Sequence, residues 1–149
     1  MLITVLPLAG TLPFIGAVVC MAMGIDAVPP GFRIDVMLTV YALVITGFMA
    51  GAHWGQAVGL QAKTPGRGLP TALLWLSNGM ALAIISAAIV LSMHLLWLAL
   101  AMYFSLLLLI DLGLYRRGAI QLAYWRMRQL VTAVVVACLF AASAMRHIS

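Results

Sequence analysis

The chain has 149 residues, of which 66% are hydrophobic and only 7% charged, with a formal net charge of +5. A soluble domain carries about 25% charged residues, so this composition excludes an ordinary globular protein and points to a membrane class. Eight basic and three acidic side chains form no cluster interleaved with exposed aromatics, so they read as topology signals and nucleic acid is not expected as a partner.

Five stretches reach the ~20 mostly apolar residues that a spanning helix needs: residues 2–24, 36–60, 70–92, 95–114 and 129–146. The expected fold is all-α, a polytopic membrane protein of about five transmembrane helices in one bundle, with residues 1–149 forming a single transmembrane domain. No Lys or Arg precedes Arg33, so residues 2–24 lack the basic start of a cleaved signal and read as the first span. Ala27-Val28-Pro29-Pro30-Gly31 ends it with turn chemistry. Cys20 in this span and Cys138 in the fifth read as small buried hydrophobes. No Cys/His spacing suits zinc or an iron–sulfur cluster, and no metal site is predicted.

The second span holds the most informative segment. Gly47, Gly51, Gly55 and Gly59 recur every fourth residue, with His53 among them. In lipid such a glycine ladder lets two helix backbones approach closely, so these four are predicted helix-packing residues. An ionisable imidazole at membrane depth is a candidate functional group. At 100° per residue, His53 points about 160° from the ladder centre and shares its side with Ala42, Thr46, Met49, Ala50 and Ala57. The span is therefore sandwiched: one face takes a close helix, and the other takes a second helix, a cofactor or a partner protein.

Lys63-Thr64-Pro65-Gly66-Arg67-Gly68 closes the second span, and Pro70 suits the first turn of the third. The break near Ser92-Met93-His94 is short, and residues 115–128 form the only sizeable loop. Within that loop, residues 120–128 look like an amphipathic interfacial stretch leading into the fifth span. Trp97, Trp125, Tyr115 and Tyr124 sit near segment ends, as interface belts do, whereas Trp54 and Trp75 lie deeper and are expected to be packing residues.

Lys63, Arg67, Arg116, Arg117, Arg126 and Arg128 fall on one side, against Arg33 and Arg146 on the other. The positive-inside rule then puts the N-terminus in the cytoplasm and the C-terminus outside, for a multi-pass protein of the bacterial inner membrane. At about 1.5 Å per residue, His53, Asn78, Asp111 and Thr132 all fall roughly 6–10 Å to the cytoplasmic side of their mid-spans, with Arg128 one turn beyond. These five make a candidate polar layer. Asp111 should face protein and find a partner among Arg128, His53 and Tyr115, either as a structural clamp between helices or as a proton-handling or ligand-binding carboxylate. For His53 the readings are a hydrogen-bonded structural imidazole and, less favoured, an axial ligand to a haem or pigment. A bis-histidine haem is disfavoured because His94 lies near the opposite face. No cofactor is predicted beyond lipid.

Tyr41 to Gly55, with its Gly-Ala-His-Trp-Gly core, resembles the signature of a bacterial and mitochondrial domain-of-unknown-function family that includes transmembrane protein 69. The resemblance extends to Leu12-Pro13-Phe14, to Asp111 and to Tyr124…Arg128…Thr132, and so covers nearly the whole chain. It implies a small inner-membrane protein of about five helices and supplies no activity. The family pattern has Trp before Tyr ahead of the arginine, whereas Trp125 here follows Tyr124.

No serine–histidine pair, phosphate loop or paired carboxylates can be assembled, so no catalytic residue is assigned and an enzyme is not the favoured reading. The leading function is a non-catalytic accessory or assembly subunit of a larger bioenergetic membrane complex, with lipids and other integral membrane subunits as partners. The alternative is a proton-handling or quinone/small-ligand-binding membrane protein using His53 and Asp111.

Overall fold

The structure, a computed structural model, describes residues 2–63 and 68–148. The predicted turn at 64–67, with Arg67, lies outside the described residues. Helices α1 (Leu2–Ala9) and α2 (Leu12–Ala22) lead into a two-stranded antiparallel hairpin, β1 (Ala27–Val28) and β2 (Phe32–Arg33). Four long helices follow: α3 (Ile34–Lys63), α4 (Gly68–Val90), α5 (Met93–Arg116) and α6 (Leu122–Ile148). Each of these four is long and apolar enough to cross a membrane. The chain is thus an all-α, multi-pass membrane bundle.

The first predicted span is not one helix. Pro13 has no N–H to offer the carbonyl of Ala9, so the helical ladder breaks at Gly10 and Thr11. Two carbonyls beside the break take side-chain donors: the Thr11 hydroxyl donates to Leu8 O at 2.7 Å, and Tyr41 in α3 donates its hydroxyl to Gly10 O at 2.9 Å. Such repair is what makes a broken helix tolerable at membrane depth. Gly10 must stay small there, because a Cβ would lie 3.2 Å from Pro7 O.

Two ends share one device. After α2, Gly24 (φ 72°) lets Gly24 N–H reach Met21 O and Ile25 N–H reach Cys20 O. After α5, Gly118 (φ 69°) lets Gly118 N–H reach Tyr115 O and Ala119 N–H reach Leu114 O. Both are Schellman endings, which need a residue that accepts positive φ. The second ending tightens the loop between α5 and α6, so α6 starts at Leu122 and absorbs most of the predicted interfacial stretch.

Helix α5 packs chiefly on α6, and α3 on α4. Phe14, Trp97 and Phe104 are fully buried where α2, α3, α5 and α6 meet. Phe14 is edge-on to Tyr41 (centroids 5.1 Å) and to Phe104 (6.3 Å). Trp97 is not an interface-belt residue: it is 0% exposed and donates its indole N–H to Thr39 Oγ1 at 2.9 Å. Trp75, in contrast, is 78% exposed and Trp54 50%, so neither is a core packing residue of this chain. Position near a segment end says how deep an indole lies, and not which way it turns.

Near the start of α3 and the end of α6, Asp35 receives Arg33 through Nε (3.1 Å) and Nη2 (2.6 Å) and Arg146 through Nη1 at 3.1 Å. This outer clamp ties the hairpin and the end of α6 to the first turn of α3. The Asp35 carboxylate holds the Arg33 guanidinium above its ordinary pKa, mainly through their hydrogen bond.

Candidate functional site

At the opposite end of the bundle lies a second ionic cluster, far better sealed. Asp111 on α5 is 0% exposed, with His53 on α3 and Arg128 on α6 at 2% each. Arg128 Nε donates to Asp111 Oδ2 at 2.6 Å, and His53 Nε2 meets Asp111 Oδ1 at 3.0 Å. Both carboxylate oxygens are therefore engaged, one by each neighbouring helix. Taking an aspartate out of water is affordable only with such partners.

The helix faces explain why these residues converge. In α3, Ala42, Thr46, Ala50 and Ala57 are all buried on the His53 side. Their small volume lets α4 and α5 come close enough for an imidazole to span the gap. Ser77 of α4 donates to Ala50 O at 2.7 Å and fixes α4 beside this face.

The imidazole has an unusual set of neighbours. Its Nδ1 lies 3.1 Å from Met49 O, the carbonyl one turn back, and its Nε2 faces a carboxylate oxygen. Both partners are acceptors. A neutral imidazole carries one N–H and one lone pair, so it can satisfy only one of them. If the proton is on Nε2, the Nδ1 lone pair faces the carbonyl oxygen. If it is on Nδ1, the Nε2···Oδ1 contact needs a second proton, whichever of those two atoms carries it. The fully hydrogen-bonded cluster therefore holds one proton more than neutral His53 with ionised Asp111, and carries a net charge of +1. Axial ligation of a haem or pigment at His53 would break one of the two contacts. Among the described residues, no group of three His, Cys, Asp or Glu side chains could hold a metal ion.

Some polar atoms here have no partner among the described residues: Arg128 Nη2, Thr132 Oγ1 and Gln56 Oε1. The other terminal nitrogen, Arg128 Nη1, rests on the sulfur of Met49 at 3.4 Å. Tyr124, half-buried, shares a cavity wall with Arg128. Tyr115, a predicted partner for Asp111, instead stacks on Trp125 with ring centroids 5.8 Å apart.

Of the five residues of the predicted polar layer, His53, Asp111 and Arg128 meet directly, and Thr132 is buried on Arg128's own helix, one turn along. Asn78 does not join them. It is exposed, and its amide donates to Leu74 O in its own helix at 2.9 Å. The inward residue of α4 at that height is its neighbour Ser77. One residue turns a helix by 100°, so a depth argument could not choose between them. The glycine ladder also differs from expectation. Gly47, Gly51, Gly55 and Gly59 are exposed, and a Cβ at any of them would meet nothing within 4 Å. Helices α2, α4 and α5 all pack elsewhere on α3, so among the described residues no helix uses the ladder. Ser77 and Gln56 near this site, the backbone role of Met49, and Asp35 in the outer clamp were missed by sequence reasoning. Asp35 was within reach, because it is one of only three acids and sits in a helical first turn.

A family model described as "Protein of unknown function (DUF3429)" matches residues 2–144. Comparisons with curated proteins and with solved structures gave no match.

Proposed function

The chain belongs to the DUF3429 family, and from that premise we propose that it is a proton-handling membrane protein whose exchangeable proton resides between His53 and Asp111. The observation that carries this reading is the pair of acceptors, Met49 O and Asp111 Oδ1, that face the two imidazole nitrogens. Taking up a proton completes both hydrogen bonds. Losing it leaves two lone pairs opposed in a buried site, where an unmade hydrogen bond costs about 1–3 kcal/mol. Arg128 fixes the carboxylate, so the imidazole is the part that responds. In this reading the arginine-rich end faces the cytoplasm of a bacterial inner membrane, with the N-terminus inside and the C-terminus outside.

The test is nitrogen-15 NMR of ring-labelled histidine in bilayers, with the His53 signal assigned by its disappearance in His53→Gln. The two His53 nitrogens should both report as protonated, or one should report a proton shared with the carboxylate, and Asp111→Asn should convert this to a simple neutral tautomer. A His53 ring that is a plain neutral tautomer in the unaltered protein contradicts the proposal.

A second reading, an accessory or assembly subunit of a larger bioenergetic complex, is favoured by the outward glycines of α3. These four positions offer a backbone surface that nothing among the described residues covers, which is the surface a partner helix requires. Gly51→Leu should leave melting unchanged, because its Cβ meets open space, yet strip co-purifying membrane subunits after mild solubilisation. An unaltered chain that purifies alone under the same conditions contradicts this second reading.

A further inference from the structure

A cavity of about 370 Å³ lies between α1, the start of α2, α3 and α6. Its wall includes Leu6, Pro7, Phe48, Tyr124, Val131 and Arg128. Leu6 and Phe48, 66% and 71% exposed, flank its mouth, so it opens sideways toward lipid. The volume falls within the ~300–1,000 Å³ of small-molecule sites, and the wall has their usual character, largely apolar with a few polar groups. The charged residue in that wall is Arg128, 2% exposed, whose Nη2 has no acceptor among the described residues. A guanidinium with an idle N–H is costly at this depth unless something else accepts from it.

We infer that this cavity binds an anionic amphiphile: an acyl chain lying along Leu6, Phe48 and Val131, with its carboxylate or phosphate oxygen on Arg128 Nη2. The choice of an anion rests on the proton-holding reading. With that extra proton the His53–Asp111–Arg128 cluster carries +1, and no other acid is near, since the remaining two acids of the chain are Asp26 and Asp35 at the hairpin end. One anionic headgroup restores neutrality. Position agrees as well. Arg128 is the seventh residue of α6, roughly 9 Å below the helix start and so close to the headgroup zone. The broken first span makes the entry possible, because the α1–α2 break and Pro7 line the gap that a straight helix would close.

The experiment is native mass spectrometry of the full chain from nanodiscs containing equal amounts of phosphatidylglycerol and phosphatidylcholine with matched chains. Parallel arms add oleate, methyl oleate or decylubiquinone. Ala52 also lines the cavity and takes no part in the ionic cluster, so Ala52→Phe fills the space while leaving the triad in place. We expect at least tenfold preference for an anion, phosphatidylglycerol over phosphatidylcholine if the headgroup is a phosphate, or oleate over methyl oleate if it is a carboxylate. Ala52→Phe should abolish the retained species with melting unchanged. Equal retention of anionic and neutral amphiphiles, preference for the quinone, or retention undiminished in Ala52→Phe overturns the inference. His53→Gln separates it from the proton-holding reading: anion preference that persists in this variant supports the cavity and counts against the extra proton.

Discussion

Arg128→Gln should be among the most damaging single changes in this chain, costing about 3–5 kcal/mol, the usual consequence of stripping one partner from a buried ion pair. Asp111 Oδ2 would lose the cation that now donates to it at 2.6 Å, inside a site with no exposed surface. Glutamine is two heavy atoms smaller and can still place an amide N–H where Nε stood, but it carries no charge, so the carboxylate would remain ionised without compensation or take up a proton. The sign of the coupling is the stronger prediction. Asp111→Asn in the same chain removes the stranded charge, so the double variant should be more stable than Arg128→Gln alone. Reversible unfolding in mixed micelles, run as a double-mutant cycle, measures this directly. Additive losses would mean that the two side chains do not meet. The outer clamp offers an internal comparison. Arg33 and Arg146 are 59% and 42% exposed, so their pairing with Asp35 is screened and its loss should be minor.

Trp97→Ala ranks next. Large-to-small changes at a buried Trp cost about 3–5 kcal/mol in water-soluble proteins. In lipid much of the transfer component falls away, because freed apolar surface is solvated by acyl chains. Lost packing and the lost bond to Thr39 then leave roughly 2–3 kcal/mol. Trp97 is 0% exposed where α2, α3, α5 and α6 meet, so no lipid chain can refill the hole. Trp75→Ala, at 78% exposure, should stay within about 0.5 kcal/mol. Thermal unfolding of the two variants in one detergent tests the contrast. Equal losses would contradict the burial pattern, and a larger loss at Trp75 would restore the expectation from segment position alone.

Counting residues along apolar segments yields height, and height was legible for most of this molecule. It puts His53, Asp111, Arg128 and Thr132 toward one end of their helices, and the four long helices follow from length and hydropathy. What counting does not yield is rotation about each helix axis. Asn78 and Ser77 differ by one residue and end on different faces, the first exposed and the second buried. The same blindness reversed the roles of Trp75 and Trp97. In α3 the helical wheel did separate the imidazole from the glycines, because both features lie on one helix and their relative angle is fixed. Which neighbour would use the ladder was beyond reach: small residues permit close approach and do not name the partner. The first span broke for a reason printed in the sequence, Pro13 within an apolar run, whose missing N–H outweighed the hydropathy signal. The wheel put Met49 on the imidazole's side, but its role gave no signal, since it acts through its backbone carbonyl and its sulfur.

The buried cluster depends on Asp111 bridging two helices at once. Solid-state NMR on bilayer samples, with carbon-13 in the aspartate carboxyls and nitrogen-15 in histidine and arginine side chains, reads that bridge as dipolar coupling. Asp111 should couple both to the Nε2 of His53 and to the Nε of Arg128, and each coupling should vanish in the matching single variant. A carboxyl that couples to only one of the two nitrogens, or to neither, contradicts the cluster and everything built on it.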